Sequence, residues 1–195
     1  FREGDAVFVS GAAGAVGSIA GQIAKALGAS RVIGSAGSAE KVQRLRELGF
    51  DAAFNYHDGP VRDQLKAAAE GNGIDVYFDN VGGDHLEAAI SVLNKYGRVA
   101  MCGAISAYNS TEPQCAPRNL FQAIGKELTL RGFIASSYNE YAGQFAELMA
   151  GWLRDGNGSA GRLSGCRRPC GPPDPSAAPA AKGPGVLFRK QSWRP

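Results

Sequence analysis

The sequence predicts an α/β fold, a doubly wound parallel sheet of about six strands followed by an irregular tail. Three observations predict it. The first apolar run, Val7-Phe8-Val9, passes through small residues straight into a helical pattern. Short apolar runs and helix-period segments then alternate five times before residue 102, with short connections. Past Gly156 both periods stop.

Composition bounds the class. The chain has 195 residues, 44% apolar and 20% charged, which suits one globular soluble domain with or without a tail. No run approaches the roughly 18 apolar residues of a membrane helix. Phe1-Arg2-Glu3-Gly4-Asp5 leads directly into the first strand, so no signal peptide is expected. The four cysteines, Cys102, Cys115, Cys166 and Cys170, are scattered, and a reducing, cytoplasmic setting is expected. The net charge of +3 is unevenly spread: residues 162–195 carry +6 and the remainder −3. The body is therefore not a nucleic-acid surface by charge. No internal repeat is visible.

The elements follow in order. Val16, Ile19, Ile23 and Leu27 fall at helical spacing after the first strand, with Ala20 and Ala24 beside them to let the helix lie close to a sheet. Gly28 stops it. Arg31-Val32-Ile33-Gly34-Ser35 reads as a second strand, and Ser38 as the N-cap of a helix marked by Val42, Leu45 and Leu48. A third strand lies within 50–56 and a third helix over 61–69. Ile74-Asp75-Val76-Tyr77-Phe78-Asp79-Asn80 is a fourth strand. Leu86, Ile90 and Leu93 mark a fourth helix, and Gly97-Arg98-Val99-Ala100-Met101 a fifth strand. A long loop is expected over 102–118, a helix near 119–126 and a sixth strand over 128–135. Tyr141, Phe145, Leu148 and Trp152 make one face of a closing helix. Residues 164–195 hold seven of the ten prolines, and such a segment cannot bury enough apolar surface to order itself.

The first turn carries the chemistry. Ser10-Gly11-Ala12-Ala13-Gly14-Ala15-Val16-Gly17 joins a strand to a helix start, whose free N–H groups bind a diphosphate if no side chain blocks the approach. Gly14 and Gly17 remove side chains, while Ala12 takes the place of the first glycine of G-x-G-x-x-G. An NAD site places an acid at the end of the second strand for the adenosine ribose. Here Gly34-Ser35-Ala36-Gly37-Ser38 has none before Glu40, and Lys41 follows. That combination favours NADPH over NADH, because an acid would repel a 2′-phosphate and a lysine attracts it. On spacing alone Lys41 reads equally well as a solvated helix lysine.

Five stretches then occur together in order and spacing: Val9 to Gly17, Gly37-Ser38-Ala39-Glu40-Lys41, Phe54-Asn55-Tyr56, Tyr77-Phe78-Asp79-Asn80-Val81-Gly82-Gly83, and Cys102-Gly103-Ala104-Ile105-Ser106-Ala107-Tyr108-Asn109. Together they resemble the zinc-independent branch of the medium-chain dehydrogenase/reductases, the prostaglandin reductases or NADP-dependent alkenal/one double-bond reductases. The resemblance covers residues 1–161 and implies a Rossmann-type NADP-binding domain over that span. It implies that Gly14, Ala15, Val16 and Gly17 lie against the diphosphate, and that Lys41 and Tyr56 meet the 2′-phosphate of NADPH. Asn80 would lie near the nicotinamide half. Cys102, Gly103, Ala104, Ile105, Ser106, Ala107 and Tyr108 would run along the nicotinamide ribose, and Phe133, Ile134 and Ala135 would flank the carboxamide.

The activity so implied is hydride transfer from NADPH to the β-carbon of an α,β-unsaturated ketone or aldehyde. Tyr108 is the candidate donor to the carbonyl oxygen, since a phenol donates without charge at neutral pH. Its other reading is a loop tyrosine with a packed ring and a solvated hydroxyl. The partner is a small conjugated carbonyl, with no nucleic acid and no membrane, and the resemblance allows a homodimer through the sheet edge. The family's N-terminal GroES-like domain is not expected within these residues. The 162–195 tail matches nothing in the family, as a shifted reading frame or a joined segment would leave it.

Other residues read more plainly. His57 and His85 are expected at the surface, Asp79 as a strand-end hydrogen-bonding residue, and Cys102 as a small packing residue. Cys166 and Cys170 lack the second pair of a zinc site, and no metal is expected. An NADPH-dependent quinone reductase and a non-catalytic NADPH-binding module are the alternatives. A short-chain dehydrogenase is disfavoured, because none of the six tyrosines has Lys four residues later.

Overall fold

The computed structural model describes residues 1–108 and 116–154. Its elements are β1 (Ala6–Val9), α1 (Ala15–Ala26), β2 (Arg31–Ala36), α2 (Ala39–Glu47), β3 (Ala52–Asn55), α3 (Val61–Ala68), β4 (Ile74–Asp79), α4 (Gly83–Val92), β5 (Leu93–Met101), α5 (Ile105–Tyr108), α6 (Gln122–Gly125), β6 (Thr129–Gly132), a 3₁₀ segment (Ala135–Tyr141) and α7 (Ala142–Arg154). The expectations for the tail, for Asn109 and for Cys115, Cys166 and Cys170 lie outside the described residues.

Six strands pair in parallel in the order β3-β2-β1-β4-β5-β6. The order reverses at β1, which lies between β2 and β4. Ligands of doubly wound sheets sit at that switch point, beyond the carboxyl ends of the strands.

Period-two alternation divides the core between the sheet faces. Phe8, Tyr77 and Ile74 face a cluster with Leu65 of α3 and Ile90 of α4. Val7, Val9 and Val32 face the other side with Leu45 of α2 and Phe50. Phe8 is 0% exposed, and burying a side chain of this kind contributes about 1.5–3 kcal/mol.

Helix α1 docks differently from the expectation. Gly17, Gly21 and Ala24 are its buried residues, and a Cβ on Gly21 would fall inside the Phe50 ring. The small residues make the closest approach and leave Val16, Ile19, Ile23 and Leu27 only partly covered, beside the core residues Val7 and Val9. They line an open apolar groove of about 510 Å³ with Val76, Phe78 and other sheet residues.

Further differences have physical causes. Strand β5 begins at Leu93, four residues before Gly97, because Leu93 pairs with Ile74 across an irregularity in the β4–β5 ladder. Leu93 therefore belongs to the sheet and not to the face of α4. Strand β6 is only Thr129–Gly132, since Phe133 is the last residue to donate to β5, through Met101 O. The loop after β5 carries the short α5, and the expected 119–126 helix shrinks to Gln122–Gly125. Helix α7 forms, but Tyr141, Phe145 and Leu148 stay exposed.

Candidate cofactor site

The turn after β1 is shaped by glycine at two points. Gly11 has φ +57°, a left-handed backbone that favours glycine. Gly17 lies so close to the turn that a Cβ would stand 2.7 Å from both Gly11 O and Ala12 Cα. Gly17 therefore seats the helix against the turn. Gly14 is the N-cap of α1, and no acid stands in the first helical turn. The N–H groups at a helix start lack intrahelical partners and carry the positive end of the helix dipole. Ala15 is exposed here, while the Val16 side chain points into the apolar groove. Any contact of Val16 with a diphosphate thus runs through its backbone.

Ala12 replaces a glycine without strain because β2 makes room for it. Ala12 is 0% exposed, and Gly34 opposite has no Cβ to meet its methyl. The Ala12 N–H donates to Ser35 O at 2.9 Å, tying the turn to β2.

Beyond β2, Gly14, Gly37, Lys41, Tyr56, Asp84 and His85 help to line one cavity of about 530 Å³. Ser38 caps α2, its hydroxyl accepting from Lys41 N at 3.3 Å. That cap holds Lys41 on the first turn of α2, and its side chain is exposed. Among the described residues the Lys41 ammonium has no ion-pair partner. Asp84, at the start of α4, is a carboxylate on the same cavity. Gly37 is a cradle: a Cβ there would stand 2.7 Å from the Tyr56 hydroxyl oxygen. A free cation, a phenol and an anion-ready helix start on one cavity fit a phosphorylated dinucleotide.

A second cavity of about 650 Å³ lies on the other side of the loop after β5, with Cys102, Gly103, Ala104, Tyr108, Phe133 and Ile134 among its lining residues. The loop is shared: Ile105 and Ser106 line the first cavity instead. Ala107 and Ala135 line neither. Tyr108 is 68% exposed, and its hydroxyl accepts from Ala104 N at 3.3 Å. Accepting that N–H leaves the phenolic proton free to donate. Burial pushes the Cys102 thiol above its ordinary range, with the Asp79 carboxylate adding to the effect. Cys102 is therefore a poor nucleophile, in keeping with a packing role.

A buried polar cluster holds the turn between the two cavities. Asp79 Oδ1 accepts from Tyr77 OH at 2.6 Å, Val81 N at 3.0 Å and Gly82 N at 2.7 Å. This is the strand-end role expected of Asp79. Asn80 spends its amide on Ser10 O at 2.8 Å and accepts from Ile105 N at 3.1 Å. Asn80 therefore joins β1, β4 and the 103–105 loop. Ser10 and Tyr77 belong to this cluster too; both lie within stretches that carry the resemblance, but neither is singled out there, because nothing in the sequence shows that the ends of β1 and β4 meet.

His57 is exposed, as expected. His85 is not: it is 6% exposed, because α4 packs on the face of the sheet that holds Phe8, and its ring stacks on Phe8. Burial lowers its pKa, with Asp79 and Asp84 opposing the shift.

Sheet order, switch-point turn and paired cavities define a domain of the doubly wound, dinucleotide-binding class. Residues 15–151 match the zinc-binding dehydrogenase family, and the chain belongs to that family. It is 44% identical over 160 residues to prostaglandin reductase 1 of Oryctolagus cuniculus, covering 80% of this chain and 44% of that protein. It is 41% identical over 156 residues to (+)-pulegone reductase of Mentha piperita, covering 80% of this chain and 45% of that protein. Among solved structures, CurA from Vibrio vulnificus in complex with NADPH superposes with a TM-score of 0.73 at 40% identity, over 80% of this chain and 48% of CurA. The chain thus spans just under half the length of these relatives. Among the described residues no group of three or more His, Cys, Asp or Glu side chains could hold a metal ion, and no helix is long and apolar enough to cross a membrane.

Proposed function

We propose that residues 1–161 are the NADPH-binding domain of a reductase of carbon–carbon double bonds conjugated to a ketone or aldehyde. The observation that carries this reading is the acid-free end of β2, where Lys41 and Tyr56 share a cavity with the helix start of α1. The α1 N-terminus receives the diphosphate through its backbone N–H groups. Lys41 and the Tyr56 hydroxyl receive the 2′-phosphate, and Phe133 and Ile134 bound the nicotinamide side. NADPH, when bound, supplies a hydride for the β-carbon of the conjugated carbonyl. As charge develops on the carbonyl oxygen, the Tyr108 hydroxyl donates to it, directly or through a ribose hydroxyl, and water protonates the α-carbon.

The test is the choice of acceptor. With NADPH bound to the chain, loss of nicotinamide absorbance is followed after adding a simple enone or a benzoquinone. The reading expects oxidation by the enone, whereas NADPH binding with no oxidation by either acceptor supports a non-catalytic NADPH-binding module. Oxidation by the quinone alone would replace the assigned reaction with quinone reduction.

A further inference from the structure

The wall of the first cavity that carries Tyr56 is built from three separate elements. Tyr56 leaves β3 with its N–H on Ala36 O at 3.1 Å. Its hydroxyl then lies over Gly37, where a Cβ would stand 2.7 Å from the oxygen and 3.1 Å from the carbon that bears it. Gly37 has no left-handed φ, so the backbone alone does not require glycine there. What requires it is the space that the phenol occupies.

Two imidazoles bound the ring. His57 lies 4.3 Å away, tilted by 51°, and is itself exposed. His85 reaches in from α4, 5.2 Å away and nearly perpendicular at 79°. His85 is held in turn. Its ring is parallel to Phe8 within 5° at 6.5 Å, and Phe8 stacks on Tyr77 at 5.0 Å. A line of rings therefore runs from the centre of the sheet out to Tyr56. Among the described residues His85 Nε2 is buried without a hydrogen-bond partner. Hydrogen bonding at that nitrogen does not account for the ring's place; its packing against Phe8 and Tyr56 does.

We propose that His85 and Gly37 are specificity-determining positioning residues: they fix the Tyr56 hydroxyl at the cavity wall it shares with Lys41, so that the cavity selects a cofactor bearing a 2′-phosphate although neither residue touches that phosphate. The proposal rests on the reading in which Lys41 and Tyr56 receive the 2′-phosphate. Its physical basis is preorganisation. A side chain already held in its binding rotamer does not lose that freedom when the ligand arrives. Removing the imidazole frees the ring, and adding a methyl at residue 37 displaces the hydroxyl.

The experiment measures dissociation constants of the full chain for NADPH and NADH, with a urea unfolding curve for each variant to confirm folding. His85→Ala and Gly37→Ala are expected to weaken NADPH by about 2–10-fold, the cost of immobilising one side chain on binding, and to weaken NADH less, so that the ratio of the two falls. His85→Phe keeps a ring against both Phe8 and Tyr56 and is expected to keep the parent ratio. In a Tyr56→Phe background, His85→Ala is expected to add nothing. Equal weakening of both cofactors, or none, in His85→Ala and Gly37→Ala would overturn the proposal. So would a His85→Ala effect that persists undiminished without the Tyr56 hydroxyl. Tyr56→Phe and Lys41→Ala separate the two levels. If both leave the parent ratio intact, the underlying reading falls and the proposal with it; if they lower it while Gly37→Ala and His85→Ala do not, only the proposal falls.

Discussion

The phenol of Tyr77 donates to Asp79 Oδ1 at 2.6 Å inside a wholly buried cluster at the end of β4. Burial holds the Tyr77 hydroxyl well above its ordinary pKa, so it remains a donor at every physiological pH. The same carboxylate oxygen accepts from Val81 and Gly82, and both residues line the first cavity. The Tyr77–Asp79 bond thus links the sheet core to a wall of the site.

Tyr77→Phe is therefore expected to destabilise the chain by about 1–3 kcal/mol, the usual cost of leaving a buried polar group short of a partner. Urea unfolding measures it. A variant as stable as the parent would show that the carboxylate does not depend on this donor.

His85 gives stability a pH dependence. Burial lowers its folded pKa, whereas the unfolded imidazole titrates near about 6.5. Below that pH the unfolded chain takes up a proton that the folded chain resists, so stability falls on acidification through about pH 6.5 and below. Thermal unfolding between pH 7.5 and 5 checks this. His85→Phe is expected to lose less stability than the parent over that range, and identical slopes would remove His85 from the account.

Gly17→Ala tests the seat of α1. The added methyl meets Gly11 O and Ala12 Cα, both backbone atoms that cannot swing aside. A loss of about 1–3 kcal/mol is expected from overpacking, with weaker binding of NADPH and NADH alike because the diphosphate turn moves. Unfolding curves and both titrations measure the two effects.

Tyr108→Phe tests the reaction. Removing one donor to a developing oxyanion costs about 100-fold or more in turnover. Enone-dependent NADPH oxidation is expected to fall by that order, with NADPH affinity changed far less. A rate equal to the parent's would return Tyr108 to the role of a loop tyrosine.

Much of this was legible in the sequence, and the exceptions share a cause. Val7-Phe8-Val9 and Ile33 announce strands because a sheet covered on both faces leaves a short unbroken apolar run in the sequence. Ser38 announces a helix start because capping is local too. Val16 and Leu27 misled because helical period marks an apolar stripe without saying which neighbour covers it; here Gly17 and Gly21 make the closer contact. Leu93 misled because its strand pairing depends on an irregular register with Ile74. His85 reads as a surface residue in sequence because a histidine near an element end carries no mark of the Phe8 ring beneath it. For Lys41 the only local mark is an absence, no acid at the end of β2; the structure adds its place on one cavity with Tyr56 and the start of α1.

Selection of NADPH by the cavity around Lys41 and Tyr56 comes down to one measurement. Titrating the parent chain with NADPH and with NADH tests it most directly. One charge-assisted hydrogen bond to the 2′-phosphate, worth about 1.5–3 kcal/mol, predicts NADPH binding tighter than NADH by about 10–150-fold. Equal affinity for the two cofactors would contradict it.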